Sequence, residues 1–129
     1  MRALPAPALA ASTFTAWALL ALAQPAAAQE WVPRRVGEIQ ALDKVNARVA
    51  TLRATVGEAT RFGTLTITLR ACHARPPDEV PDAAAWLEVT DDRGGAGSGT
   101  VFRGWLFADA PAVNMFEHPV YDLRIMSCR

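Results

Sequence analysis

The chain has 129 residues, with 13 Lys and Arg balancing 13 Asp and Glu, two Cys and two His. That balance leaves no basic face of the kind nucleic acid requires, and the mixed charges read as a solvated surface. Neither a C-x-x-C-H haem attachment nor a glycine-rich phosphate loop occurs, so no cofactor is expected.

The start reads as a secretory signal peptide. Residues 3–29 carry no charged side chain, Arg2 supplies the positive n-region, residues 8–23 are mostly Ala, Leu, Phe and Trp, and small residues precede a cleavage point after Ala28. The apolar run is about long enough to span a bilayer, so an uncleaved anchor is the alternative. Its Ala-rich make-up and Pro25 before the Ala cluster favour cleavage. No Cys follows the run to accept a lipid, and Arg34-Arg35 falls after it, which is the wrong order for a twin-arginine signal. The expected organisation is residues 1–28 as signal peptide, 29–38 as a polar linker and 39–129 as one β-domain in the periplasm. No transmembrane segment is expected after cleavage. A domain of about 100 residues buries roughly two-thirds of its unfolded surface.

Export places Cys72 and Cys128 in an oxidising compartment, where two cysteines pair. Closing the intervening loop of about 57 residues contributes about 4 kcal/mol in the chain-entropy account. Such a bond would fasten the last strand to the middle of the domain.

Ile39, Leu42 and Val45 recur at three-residue spacing, which fits one helical turn or an irregular first strand. Residues 48–56 read as a strand, and Gly57 marks the turn after it. Residues 63–73 give the clearest strand: Leu65, Ile67 and Leu69 alternate with Thr64, Thr66 and Thr68, the pattern of a sheet with one wet face. Cys72 falls on the wet parity unless a bulge intervenes. The three prolines of residues 75–81 exclude helix and central strand there. Residues 83–90 alternate again, residues 91–99 hold four glycines and read as a hairpin tip, and residues 100–108 return. Both parities of that return strand are apolar, which predicts a central strand or a place inside a closed barrel. Residues 112–117 suit one helical turn with Pro111 at its start, His118-Pro119 forces an extended exit, and residues 120–128 form the last strand. The sum is an all-β fold, a small barrel or sandwich of five to six mostly antiparallel strands with one disulfide.

The ordered motifs resemble domain of unknown function family 2155. They run Leu42-Asp43-Lys44-Val45, Phe62-Gly63-x-Leu65, Cys72, Phe102-x-Gly104-Trp105-x-Phe107-Ala108, Pro111, Asn114, His118-Pro119-Val120-Tyr121-Asp122 and Cys128. The resemblance covers residues 39–128, with departures at Leu106, where Met is expected, and Arg124, where Trp is expected. It implies an exported, single-domain alphaproteobacterial protein and carries over no catalytic residues.

Three chemistries are open to these residues. Cys72, His73, His118 and Cys128 offer two thiols and two imidazoles, with Met115 and Met126 as soft additions, so a periplasmic zinc or copper protein using His73 and His118 is the alternative function. Against it, Cys72 and His73 are adjacent, and strand neighbours point to opposite faces. Hydrolysis lacks a framework: Ser98 sits in a glycine-rich tip, Ser127 adjoins Cys128, and Glu117-His118 with Asp122 has no nucleophile beside it. Recognition remains. Trp86, Phe102, Trp105, Phe116 and His118 form a candidate binding surface, set against the plainer reading that these residues complete a core. The expected function is a non-catalytic, exported envelope accessory module that binds an envelope or inner-membrane protein partner.

Overall fold

The computed structural model describes residues 2–8, 30–93 and 99–129. The apolar core of the expected signal peptide and the glycine-rich tip at 94–98 lie outside the described residues. Eight strands occur in chain order: β1 (Val32–Arg34), β2 (Val36–Asp43), β3 (Arg48–Thr55), β4 (Ala59–Phe62), β5 (Leu65–Ala74), β6 (Ala83–Asp91), β7 (Gly99–Phe107) and β8 (Tyr121–Cys128). Six of them are eight residues or longer, and β1 and β4 are short additions.

Two antiparallel sheets result. The larger has the order β1-β5-β6-β7, with β4 also on β5; the smaller has the order β3-β2-β8. β1 pairs with residues 72–74 and β4 with residues 65–68, so the two short strands share one edge of β5. β7 and β8 are not hydrogen-bonded to each other, which makes the fold a sandwich and not a closed barrel. Ile39, Ala41, Leu123 and Ile125 of the small sheet bury against Leu65, Ile67, Leu69, Leu87 and Val89 of the large one. Full burial of each such side chain contributes about 1.5–3 kcal/mol.

Three expectations need correction. Residues 29–38 are not simply a linker, because β1 belongs to the large sheet and β2 to the small one, with the chain changing sheets at Arg35. Pro33 is tolerated because β1 lies on an edge, where a missing N–H breaks no inner ladder. Of the two readings of Ile39, Leu42 and Val45, the strand holds: Ile39 is core and Leu42 half-buried in β2, while Val45 is exposed in the β2–β3 turn. β7 is an edge strand, not a central one. Its second apolar face is explained by neighbours on the sheet exterior, described below. The expected helical turn contracts to a 3-10 turn at Pro111–Val113.

The disulfide joins Cys72 of β5 to Cys128 of β8, with Cα atoms 5.6 Å apart, and so bridges the two sheets. A bulge makes it possible. Leu69 pairs with Leu87 and Ala71 with Trp86, leaving Arg70 as the extra residue. That single insertion turns Cys72 onto the core face, where it is 1 % exposed.

Candidate functional site

The segment at 101–122 builds its interior from aromatic rings in sequence. Phe102 meets Phe116 edge-on at 5.6 Å, Phe116 lies parallel to His118 at 5.7 Å, and His118 meets Tyr121 at 5.1 Å. Tyr121 then meets Phe62 edge-on at 5.7 Å. Gly63 follows Phe62 because a side chain cannot fit: a Cβ there would lie 2.2 Å from Tyr121 Oη, and its φ of +57° is left-handed.

Beneath these rings sits a buried polar cluster. Asp91, at the end of β6, is 1 % exposed. Its carboxylate accepts from Thr64 Oγ1 at 2.6 Å, from His118 Nε2 at 2.8 Å and from Arg93 Nε. His118 Nδ1 accepts the backbone N–H groups of Val120 at 3.0 Å and Tyr121 at 3.2 Å. A nitrogen that accepts two N–H groups carries no proton, so the ring proton is on Nε2 and points at Asp91. Arg93 Nη2 lies 3.3 Å from that Nε2. Both are donors, so they are neighbours around one carboxylate oxygen and not bonded to each other. Lys44 Nζ donates to the His118 carbonyl at 2.6 Å and Lys44 N–H to that of Val120 at 2.8 Å. Burial pushes the Asp91 pKa up, but the hydrogen bonds from Thr64, His118 and Arg93 outweigh it and hold the carboxyl below its ordinary value.

An Asp–His pair suggests acid–base chemistry, yet neither imidazole nitrogen faces a substrate position. Glu117 and Asp122, the carboxylates next to His118 in sequence, do not bond to it. Ser127 Oγ donates to Glu38 at 3.2 Å and has no base beside it. The cluster is a clasp that ties the loop before β8 to the turns after β2, β4 and β6.

The expected binding surface splits in two. Phe116 and His118 are buried, and Phe102 packs against the core. Trp86 and Trp105 are directly paired across β6 and β7 on the exterior of the large sheet, edge-on at 5.8 Å, and His73 meets Trp105 at 5.6 Å. Pro33, His73, Ala84 and Phe107 form the adjoining row across four strands. All but Pro33 and the buried Ala84 are half-buried. These rings cover the second apolar parity of β7. Beyond them on the same face, Glu88 takes Arg70 and Arg103, each at 3.2 Å.

The two histidines do not meet. His73 pairs with Ala84, whereas His118 bonds Asp91, seven residues further along β6 and about 23 Å away at the strand rise. The cysteines are spent in the disulfide, and among the described residues no cluster of three or more His, Cys, Asp or Glu is placed to hold a metal.

Sequence reasoning did not find the roles of Thr64, Asp91 and Arg93. Asp91 reads as a solvated hairpin residue until Tyr121, Gly63 and His118 are brought to it. The only advance signal was that Phe62-Gly63 and His118-Pro119-Val120-Tyr121 belong to one ordered set of motifs. In three dimensions those motifs, with Asp43-Lys44, converge on the clasp.

Residues 37–128 match the family described as an uncharacterized protein conserved in bacteria, DUF2155. The chain belongs to this family. An uncharacterized protein of Rickettsia prowazekii (strain Madrid E), RP359, is 26% identical over 92 residues, which cover 71% of this chain and 59% of that protein. The match therefore spans less than two-thirds of the relative's length. No solved structure matches the chain. Several of the motifs read from the sequence fall on the clasp, on the disulfide and at Asn114. Asn114 Nδ2 donates to the Trp105 carbonyl at 2.8 Å, where a Cβ on Gly104 would crowd it at 2.9 Å.

A cavity of about 560 Å³ opens between the loop at 108–118 and the free edge of β8, walled by all of residues 122–126. Leu106 and Arg124, the two positions expected to depart from the resembled pattern, both line it. Among the described residues no helix is long and apolar enough to cross a membrane.

Proposed function

We propose that the chain is an exported, non-catalytic module of the periplasm that binds a protein of the cell envelope through the aromatic exterior of its large sheet. One observation carries this reading: Trp86, Trp105, His73 and Phe107 lie together, half-buried, on the face of the large sheet that is turned away from the core. Large amphipathic rings held rigid by a sheet are the side chains that anchor protein interfaces. The flanking Glu88 with its two arginines supplies a polar rim. The absence of catalysis is supported by the clasp, where the acid–base groups are used by the scaffold.

The test is site-specific photo-crosslinking in intact cells from positions on this face, followed by mass spectrometry. The expected result is a discrete envelope protein that is lost with W86A/W105A. Identical capture by that double variant would sink the reading. Export is checked separately by fractionation and N-terminal sequencing, with a mature start at Gln29 expected.

A further inference from the structure

The free edge of β8 has unusual features for a strand end wall. β2 covers only one of its sides. Lys44 N–H bonds the Val120 carbonyl, and bonded and non-bonded pairs alternate along an antiparallel ladder. The N–H and C=O groups of Leu123 and Ile125, paired with Ala41 and Ile39, therefore point away from β2 into the cavity. The Tyr121 N–H belongs to the same outward set, and it is the one that His118 Nδ1 accepts. No backbone bond among the described residues joins residues 122–126 to the loop beside them. The other edge at this mouth, β7, is closed by Asn114 on Trp105 O. An open strand edge with in-register N–H and C=O groups is a template for another strand.

The side chains state which strand. Asp122 and Arg124 lie on the outer face of β8, and neither has an ion pair among the described residues. A strand added antiparallel here needs a basic residue opposite Asp122, an acidic one opposite Arg124 and apolar ones opposite Leu123, Ile125 and Met126. Read from its N-terminus, that is apolar, apolar, acidic, apolar, basic. Val120-Tyr121-Asp122-Leu123-Arg124 has this order. The edge is complementary to itself.

We infer that β8 pairs with β8 of a second copy about a twofold axis at Leu123, joining two small sheets into one of six strands. Leu123 faces Leu123, so the outward amides exchange both hydrogen bonds. Asp122 of each copy faces Arg124 of the other, and the ladder ends at Tyr121, whose outward N–H His118 already holds, so the bonded seam is residues 122–124. Each loop enters its own β8 at Tyr121, so the twofold sends the two loops to opposite ends of the seam. Met126 then comes opposite Val120, beside the partner copy's loop. This gives a contact to Met115 and Met126, which are 56 % and 51 % exposed in the single chain. The interface is isologous, as most homodimers are.

Sedimentation of the mature protein at tens of micromolar should show a dimer. Asp122→Arg or Arg124→Asp alone sets like charges across the seam and should weaken self-association at least about tenfold. The double exchange D122R/R124D should restore it to within about threefold, and so should an equimolar mixture of the two single variants. The Leu123 amide should exchange more slowly as protein concentration rises. A monomer at these concentrations overturns the inference. So does a dimer indifferent to both single reversals, or one that the double exchange and the mixture fail to restore. Circular dichroism of each variant confirms that the fold is retained.

Discussion

The two halves of β8 lie a few residues apart and meet opposite treatment. At Tyr121 the backbone N–H, the hydroxyl and the ring are all engaged, by His118, Thr64 and Phe62. At Leu123 and Ile125 the side chains are buried while the outward backbone groups have no partner among the described residues. The polar end, which carries the residues that suggest catalysis, is the finished one. The apolar end, which reads as ordinary core strand, is the one with bonds left to make. Asp91 and His118 are bonded into the scaffold, whereas the open edge of β8 and the Trp86–Trp105 pair lie apart from them.

That contrast can be broken at several points. Replacing Cys72 and Cys128 by Ser removes the tie between sheets and should cost up to about 4 kcal/mol, read as a fall in the urea midpoint. Gly63→Ala drives a methyl group into Tyr121 Oη in a left-handed backbone and should cost about 3 kcal/mol. A smaller loss would mean that Tyr121 is free to swing and that the clasp is looser than its bonding. His118→Phe keeps a ring between Phe116 and Tyr121 but strands two backbone N–H groups and a buried carboxylate, for about 2–3 kcal/mol. A catalytic histidine would instead leave stability unchanged.

The pH dependence sharpens the same point. The Asp91 pKa is held below the ordinary carboxylate value in the folded state. Its contribution to stability is present above the unfolded carboxylate range and is lost as pH falls through the lower folded value. Denaturation midpoints measured downward from about pH 5 should therefore drop steeply below about pH 4, and the drop should flatten in Asp91→Asn. The smallest effect is expected on the exterior: Trp86→Ala should change stability by no more than about 1 kcal/mol while abolishing partner capture.

Much of the fold was legible because its signals are local. Alternation placed β5, β6 and β8 to within a residue or two, and a chain with only two cysteines leaves one intramolecular pairing. What escaped depended on long-range neighbours. A bulge at Arg70 leaves no mark in sequence, yet it decides which face Cys72 takes. The apolar exterior of β7 looked like a buried face because Trp105 is apolar whether it meets core or Trp86. Pro33 argued for a linker, since an edge strand that accepts proline looks like a loop. Asp91 looked solvated, and only the turn after β4 and the segment before β8, distant in sequence, make its burial possible.

The order of strands in the small sheet has a consequence in time. β4 to β7 are hairpin neighbours that can pair as the chain collapses, whereas β2 must wait for β8, the last strand, before its second edge is covered. Until then β2–β3 is an isolated hairpin, marginal in water. Sequence-distant pairing of this kind slows folding because loop closure precedes its reward. An intact Cys72–Cys128 bond shortens that search by keeping β8 close to the large sheet. Refolding of the oxidised chain should thus outpace that of the reduced one in stopped-flow fluorescence, with the slow step being arrival of β8.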